Sequence, residues 1–172
     1  MAKKSSILLN LLNLKPDKIK NTLSADNIDL DRLPEKEGKK ARWLEDSGRL
    51  DRELKLIQEN NITCVDIFDS EYPELLKQID NPPLVLYIKG RKDLFDCFCL
   101  AIVGSRKATS RGLSLARHFS GELSSLGLVI ISGLARGIDS AAHQAAIAQG
   151  LSIGVLGSGL LNIYPQENKR IQ

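Results

Sequence analysis

Apolar runs and amphipathic stretches alternate regularly along the second half of the chain. Phe98 to Val103 is nearly continuous apolar sequence and ends at Gly104-Ser105-Arg106. Residues 111 to 126 follow with helical spacing, placing Leu115, Phe119, Leu123 and Leu126 on one face, and Gly127 stops them. Leu128 to Ile131 is a second apolar run ending at Ser132-Gly133, and residues 138 to 149 predict a second helix closed by Gly150. Leu151 to Leu156 is a third run, ended by Gly157-Ser158-Gly159, after which Pro165 opens another helix. The order is β-α-β-α-β. Runs apolar throughout predict strands buried on both faces. Intervening helices require a parallel sheet with right-handed crossovers.

Before residue 62 the pattern is helical and broken. Ser6 to Leu14 and Lys15 to Leu23 predict short helices, with Pro16 in the first turn of the second. A charged stretch from Asp29 to Lys40 carries Pro34 and Gly38 as breakers. Arg42 to Asn60 predicts one or two helices, with Gly48 as a break and Leu50, Leu54 and Ile57 at helical spacing. Ile62 to Phe68 alternates like a strand, and Tyr72-Pro73-Glu74-Leu75-Leu76 starts a short helix. Asn81-Pro82-Pro83 is an extended connection, because prolines remove donors and bias their neighbours away from helix. Leu84 to Ile88 then predicts a strand closed by Gly90. The expected division is a helical module over residues 1–61 and an α/β part over 62–172.

Composition narrows the partners only a little. The 172 residues are 42% hydrophobic and 26% charged, as in a globular chain, and the net charge of +3 is too small to imply a nucleic-acid partner by itself. The N-terminal apolar run is interrupted by Asn10 and Asn13 and has no small-residue cleavage site, which argues against a signal peptide. No apolar stretch reaches the length of a membrane span, so the expected location is cytoplasmic. The three cysteines, Cys64, Cys97 and Cys99, form no C-x-x-C pair. The odd count and spacing argue against a disulfide frame or zinc site, and Cys97 and Cys99, sharing one face of a strand, are expected to be small core residues in a reducing compartment.

The chemistry concentrates in three glycine-bearing loops at the carboxyl ends of the strands, where open parallel sheets bind ligands. Gly104-Ser105-Arg106 combines close backbone approach, a hydroxyl and a guanidinium fork suited to phosphate. The stretch from Ser132 and Gly133 through Arg136 and Gly137 to Asp139 precedes a helix N-terminus, where free N–H groups favour an anion. Asp139 is the expected N-cap. Gly157 and Gly159 open the third loop, which continues to Tyr164-Pro165 and to Asn168 on the next first turn. Tyr164 suits either base stacking or packing. His143 is expected to serve a core or hydrogen-bonding role, and His118 to face solvent or pack. There is no G-x-G-x-x-G at the first strand, no Walker loop and no G-x-S-x-G elbow. Nothing assembles a nucleophile, base and orienting group, and no metal or cofactor is implied. The reading is phosphate recognition without a reaction. The alternative is a nucleotide-binding enzyme of the phosphoribohydrolase type, for which Glu167 is the one acid beside the third loop.

Three sets of residues together closely resemble the DprA/Smf DNA-processing family. They are Ala101-Ile102-Val103-Gly104-Ser105-Arg106; Ser132-Gly133-Leu134-Ala135-Arg136-Gly137-Ile138-Asp139 with Ala142-His143; and Val155-Leu156-Gly157-Ser158-Gly159-Leu160 with Ile163-Tyr164-Pro165 and Asn168. Tyr72-Pro73-x-x-Leu76 and Pro82-Pro83-x-Val85-Leu86-Tyr87-x-x-Gly90 fit as well, so the resemblance covers about residues 70 to 172. It implies an extended Rossmann fold behind a sterile-alpha-motif-like N-terminal module. It also implies binding and protection of single-stranded DNA and loading of the RecA recombinase in natural transformation, with no catalytic activity. By position, Arg106 and Arg136 would hold phosphates, and Ser105, Gly133 and Gly137 would supply backbone contacts. The resemblance also implies a homodimer in the full-length form. Family members continue through further strands and helices, so the expectation is the N-terminal part of a truncated chain, with a non-functional remnant as a further reading. The third strand is then expected to be an exposed edge.

Overall fold

The computed structural model describes residues 4–14, 23–24, 27–28 and 33–171. The helix expected over residues 15–23 lies outside them, apart from Leu23, which pairs in a short antiparallel ladder of β1 (Leu23–Ser24) with β2 (Asn27–Ile28). The chain forms two compact units, Met1–Gly90 and Arg91–Gln172.

In the first unit, α1 (Lys4–Leu12), α2 (Glu35–Asp46) and α3 (Arg49–Glu59) surround a core of Ile7, Leu8, Leu12, Leu44, Leu50 and Ile57. Gly48, at φ 68°, makes the expected break between α2 and α3. Gly38 does not break the chain: it lies inside α2, and only Pro34 bounds that helix. A helical glycine costs about 1 kcal/mol, and burial of Ala41 and Leu44 on the same helix outweighs that. Strands β3 (Thr63–Asp66) and β4 (Val85–Ile88) pair antiparallel and pack on this helical core through Leu84 and Val85. That packing places residues 62–90 in the first compact unit, whereas the change in sequence pattern falls at 61/62. Between the strands, Pro73 caps the short α4 (Glu74–Lys77), and the fully buried Tyr72 donates its hydroxyl to the Pro83 carbonyl at 2.7 Å. The Tyr-Pro and Pro-Pro motifs are therefore two halves of one fastener. Burial also pushes the Tyr72 phenol up to about 12.

The second unit is the β-α-β-α-β array: β5 (Cys99–Ala101), α5 (Ser110–Ser125), β6 (Val129–Ser132), α6 (Ile138–Ala146) and β7 (Ser152–Gly154). The sheet is parallel, in the order β5-β6-β7. α5 and α6 pack on each other and on β6, as expected of right-handed crossovers stepping in one direction, which put both helices on one face. Burial on both faces holds only for the central strand, where Val129 and Ile130 are inaccessible. It fails for β5 and β7, since among the described residues each is an edge with one neighbour, and Leu100, Val103 and Val155 remain exposed. Cys97 and Cys99 are likewise exposed rather than core, because they lead into and begin an edge strand. The apolar face of α5 also stays open at Leu115, Phe119 and Leu126. The buried positions of α5 are instead the small residues Ala116, Ser120 and Ser124, and Ser120 Oγ donates to the Ala142 carbonyl of α6. Among the described residues, no helix is long and apolar enough to cross a membrane.

Candidate phosphate-binding loop cluster

The first two loops are locked together by glycine. Gly137 sits at φ 80°, and a Cβ there would lie 2.2 Å from the Ser105 carbonyl oxygen and 3.0 Å from Arg106 Cα. The next amide, Ile138 N–H, donates to that same Ser105 oxygen at 3.2 Å. On the other side, a Cβ on Gly104 would meet the Ile138 side chain at 2.7 Å. The backbone bearing Arg106 therefore lies directly against the backbone bearing Arg136, and both arginines are exposed. Ser105 Oγ accepts from Lys107 N–H at 3.1 Å, so the hydroxyl serves the turn of its own loop.

Asp139 shapes the second loop from within. It is not the N-cap. The helix opens at Ile138 with Gly137 in the cap position, since the Ile138 amide is taken by Ser105. The buried Asp139 carboxylate instead reaches back to Gly133 N–H at 3.1 Å and Ala135 N–H at 3.4 Å. The Gly133 amide is thus satisfied by the protein's own carboxylate rather than left for a ligand. A Cβ on Gly133 would lie 2.9 Å from that carboxylate, so this glycine permits the inward anchor.

Two further expected ligand residues also turn inward. Ser132 is buried and donates its hydroxyl to the Ile102 carbonyl at 2.7 Å, tying the end of β6 to β5. Asn168, 4% exposed, gives its amide to the carbonyls of Leu134 and Ala135 and to Ser140 Oγ. These are positioning roles, because neither side chain reaches solvent where a phosphate would lie. The Asn168 clasp holds the 3-10 turn Gln166–Ile171 against the second loop. On the third loop, Gly157 and Gly159 have open space around them, and the Tyr164 ring is 68% exposed, favouring the stacking alternative over packing.

The charges at the loop tips are unequal. Among the described residues Arg106 makes no ion pair, whereas Arg136 donates Nε and Nη2 to the two oxygens of Glu167 at 2.7 and 3.0 Å. That hydrogen-bonded carboxylate holds the Arg136 guanidinium still more firmly protonated. Sequence reasoning weighed Glu167 only as an enzyme's acid and missed its pairing with Arg136. The two lie 31 residues apart and no local signal joins them.

Beneath the loops, His143 is buried, with Nδ1 2.6 Å from Ser152 Oγ on β7 and no hydrogen-bond partner for Nε2 among the described residues. The core role expected for it holds. Desolvation lowers its pKa below 6.5, and the Ser132 backbone and the Asp139 carboxylate pull the other way. The folded protein therefore binds this proton less readily than the unfolded chain. Stability contributed by neutral His143 is complete above pH 6.5 and falls as pH drops below that value towards the folded pKa. Urea melts across this window should lose up to about 1.4 kcal/mol per pH unit from this group, and His143→Gln should remove that component. A pH response unchanged in His143→Gln would refute the assignment.

Comparison with known proteins places this geometry. The model of the DNA recombination-mediator protein A family matches residues 63–172. The DNA processing protein DprA of Bacillus subtilis is 40% identical over 125 residues, covering 72% of this chain and 42% of that protein. Its Streptococcus pneumoniae counterpart is 43% identical over 107 residues, 62% of this chain and 38% of that protein. The X-ray structure of the Streptococcus pneumoniae protein superposes with a TM-score of 0.74 at 32% identity, covering 98% of this chain and 60% of that one. A Helicobacter pylori DNA processing protein A, whose structure is described for its single-stranded DNA binding mode, gives a TM-score of 0.58 at 27% identity over 65% of this chain and 51% of that one. This chain thus spans about two fifths of the length of those two curated relatives. The three-stranded parallel sheet and its helices are the expected partial Rossmann-like sheet.

Proposed function

Because the chain belongs to the DNA recombination-mediator protein A family, we propose that its loop cluster grips the phosphate backbone of single-stranded DNA and carries out no reaction on it. The observation that carries this reading is the contact of Gly137 with the Ser105–Arg106 backbone, which makes one mouth of two arginine loops. Guanidinium forks recognise phosphate oxygens, and they do so without reading base sequence. Tyr164, exposed on the adjoining loop, offers a face for a base. The two acids of these loops are engaged, Asp139 by backbone amides and Glu167 by Arg136, which disfavours a phosphoribohydrolase assignment.

The proposal extends to the whole-protein role implied by the resemblance: protection of incoming DNA in the cytoplasm and loading of RecA by a homodimer in natural transformation. It also keeps residues 1–61 as a sterile-alpha-motif-like module, with residues 62–172 as part of the extended Rossmann domain, although β3 and β4 pack on the core of that module within one compact unit. The start of the family match at residue 63 supports that division.

The test is a salt titration. Anisotropy of a labelled oligo-dT with the 172-residue chain should show affinity falling steeply between about 50 and 200 mM salt, as phosphate neutralisation releases counterions. Affinity indifferent to salt, or absent at low salt, would overturn the reading.

A further inference from the structure

The Arg136–Glu167 pair joins two loops, and its geometry is two-pronged. Both side chains are more than half exposed, so the pair adds little to stability and the fold does not depend on it. Yet Glu167 is not a wandering surface acid. The next residue is the buried Asn168, whose amide binds two carbonyls of the Arg136 loop and Ser140 Oγ. That clasp fixes the turn bearing Glu167 beside Arg136. A carboxylate presents a guanidinium with the same paired oxygens that a phosphate does, so Glu167 occupies the place a backbone phosphate would take. Arg106, across the Gly137 contact, has no such occupant among the described residues.

We propose that Glu167 is a built-in competitor for the phosphate at Arg136. Arg106 captures the strand first, and the next phosphate engages Arg136 only by displacing the Glu167 carboxylate. Because the clasp keeps Glu167 close, its effective concentration at Arg136 is high, on the order of millimolar or more. A phosphate held only loosely nearby does not displace it, whereas one on a strand already anchored at Arg106 does. The inference rests on reading the loop cluster as a phosphate grip.

A double-mutant cycle tests it, using oligo-dT anisotropy at low salt with the wild-type chain, Glu167→Gln, Arg136→Ala and the double variant. Glu167→Gln keeps the size of the side chain and should tighten binding about 3–10-fold. On the Arg136→Ala background the same change should alter affinity less than about twofold. Glu167→Ala, paired with a thermal melt, checks that the gain follows loss of the carboxylate and not a changed fold. Glu167→Gln binding no tighter than wild type would overturn the competitor role, as would an equal gain on both backgrounds, which marks generic removal of negative charge. If the wild-type chain binds no DNA, the phosphate-grip reading fails as well. If the wild type binds with steep salt dependence while Glu167→Gln gains nothing, only the competitor role falls.

Discussion

Gly137→Ala is expected to destabilise the second unit by about 2–4 kcal/mol and to weaken DNA binding although it removes no charge. The methyl group would lie 2.2 Å from the Ser105 carbonyl oxygen and 3.0 Å from Arg106 Cα, and both are backbone that cannot rotate away. The residue also sits at φ 80°, ψ −123°, a conformation that side-chain-bearing residues rarely adopt. Relief requires the first loop to part from the second, which breaks the Ile138 amide bond to Ser105 and separates the two arginines. Gly157→Ala supplies the contrast, because nothing lies within 4 Å and its φ needs no glycine, so it should be nearly neutral. Gly159→Ala should cost only the strain of its positive φ, about 1 kcal/mol. Urea melts should rank the losses as Gly137→Ala largest, Gly159→Ala next and Gly157→Ala least. Equal effects would mean that the loop contact does not position the arginines.

The alternation of apolar runs with helical faces, and the glycines that end them, showed the parallel sheet and its three loops in the sequence because those signals are local. The Gly48 break and the Gly150 stop, which closes the 3-10 turn Ile147–Gln149 that follows α6, are set by neighbouring residues. What was not legible depends on distant partners. Whether an apolar run becomes a central or an edge strand is decided by pairing, so β5 and β6 read alike and differ in burial. The stripe Leu115, Phe119 and Leu126 is the most apolar on α5. The buried positions are nevertheless Ala116, Ser120 and Ser124, and Ser120 meets α6 directly at the Ala142 carbonyl. At the site, spacing located the loops but not the direction of each side chain. Ser132, Asp139 and Asn168 are polar residues in the candidate loops, and all three are spent on the protein's own backbone. The amides of the second loop needed an internal acceptor to hold their turn, and Asp139 supplies it.

That inward use of polar groups leaves the arginines to carry the proposed grip, and they should not contribute equally. Arg106→Ala should weaken oligo-dT binding about 10–100-fold at low salt, as expected for losing a charge-assisted contact of about 1.5–3 kcal/mol. It should also lower the slope of log affinity against log salt by about one, since one fewer phosphate is neutralised. Arg136→Ala should cost less, about 3–10-fold, because part of what Arg136 gives the strand is already given to Glu167 in the free protein. Neither change should depend on the base sequence of the probe, because phosphate contacts position a strand without reading it. The double variant should bind too weakly for a salt slope to be measured, while melting like the wild type, since both side chains are exposed. The ranking separates this grip from nonspecific attraction to a basic surface. If either arginine can be removed with the same small loss, diffuse charge holds the DNA. If Arg106→Ala leaves the salt slope unchanged, its guanidinium is not on a phosphate and the mouth formed at Gly137 is not where the strand lies.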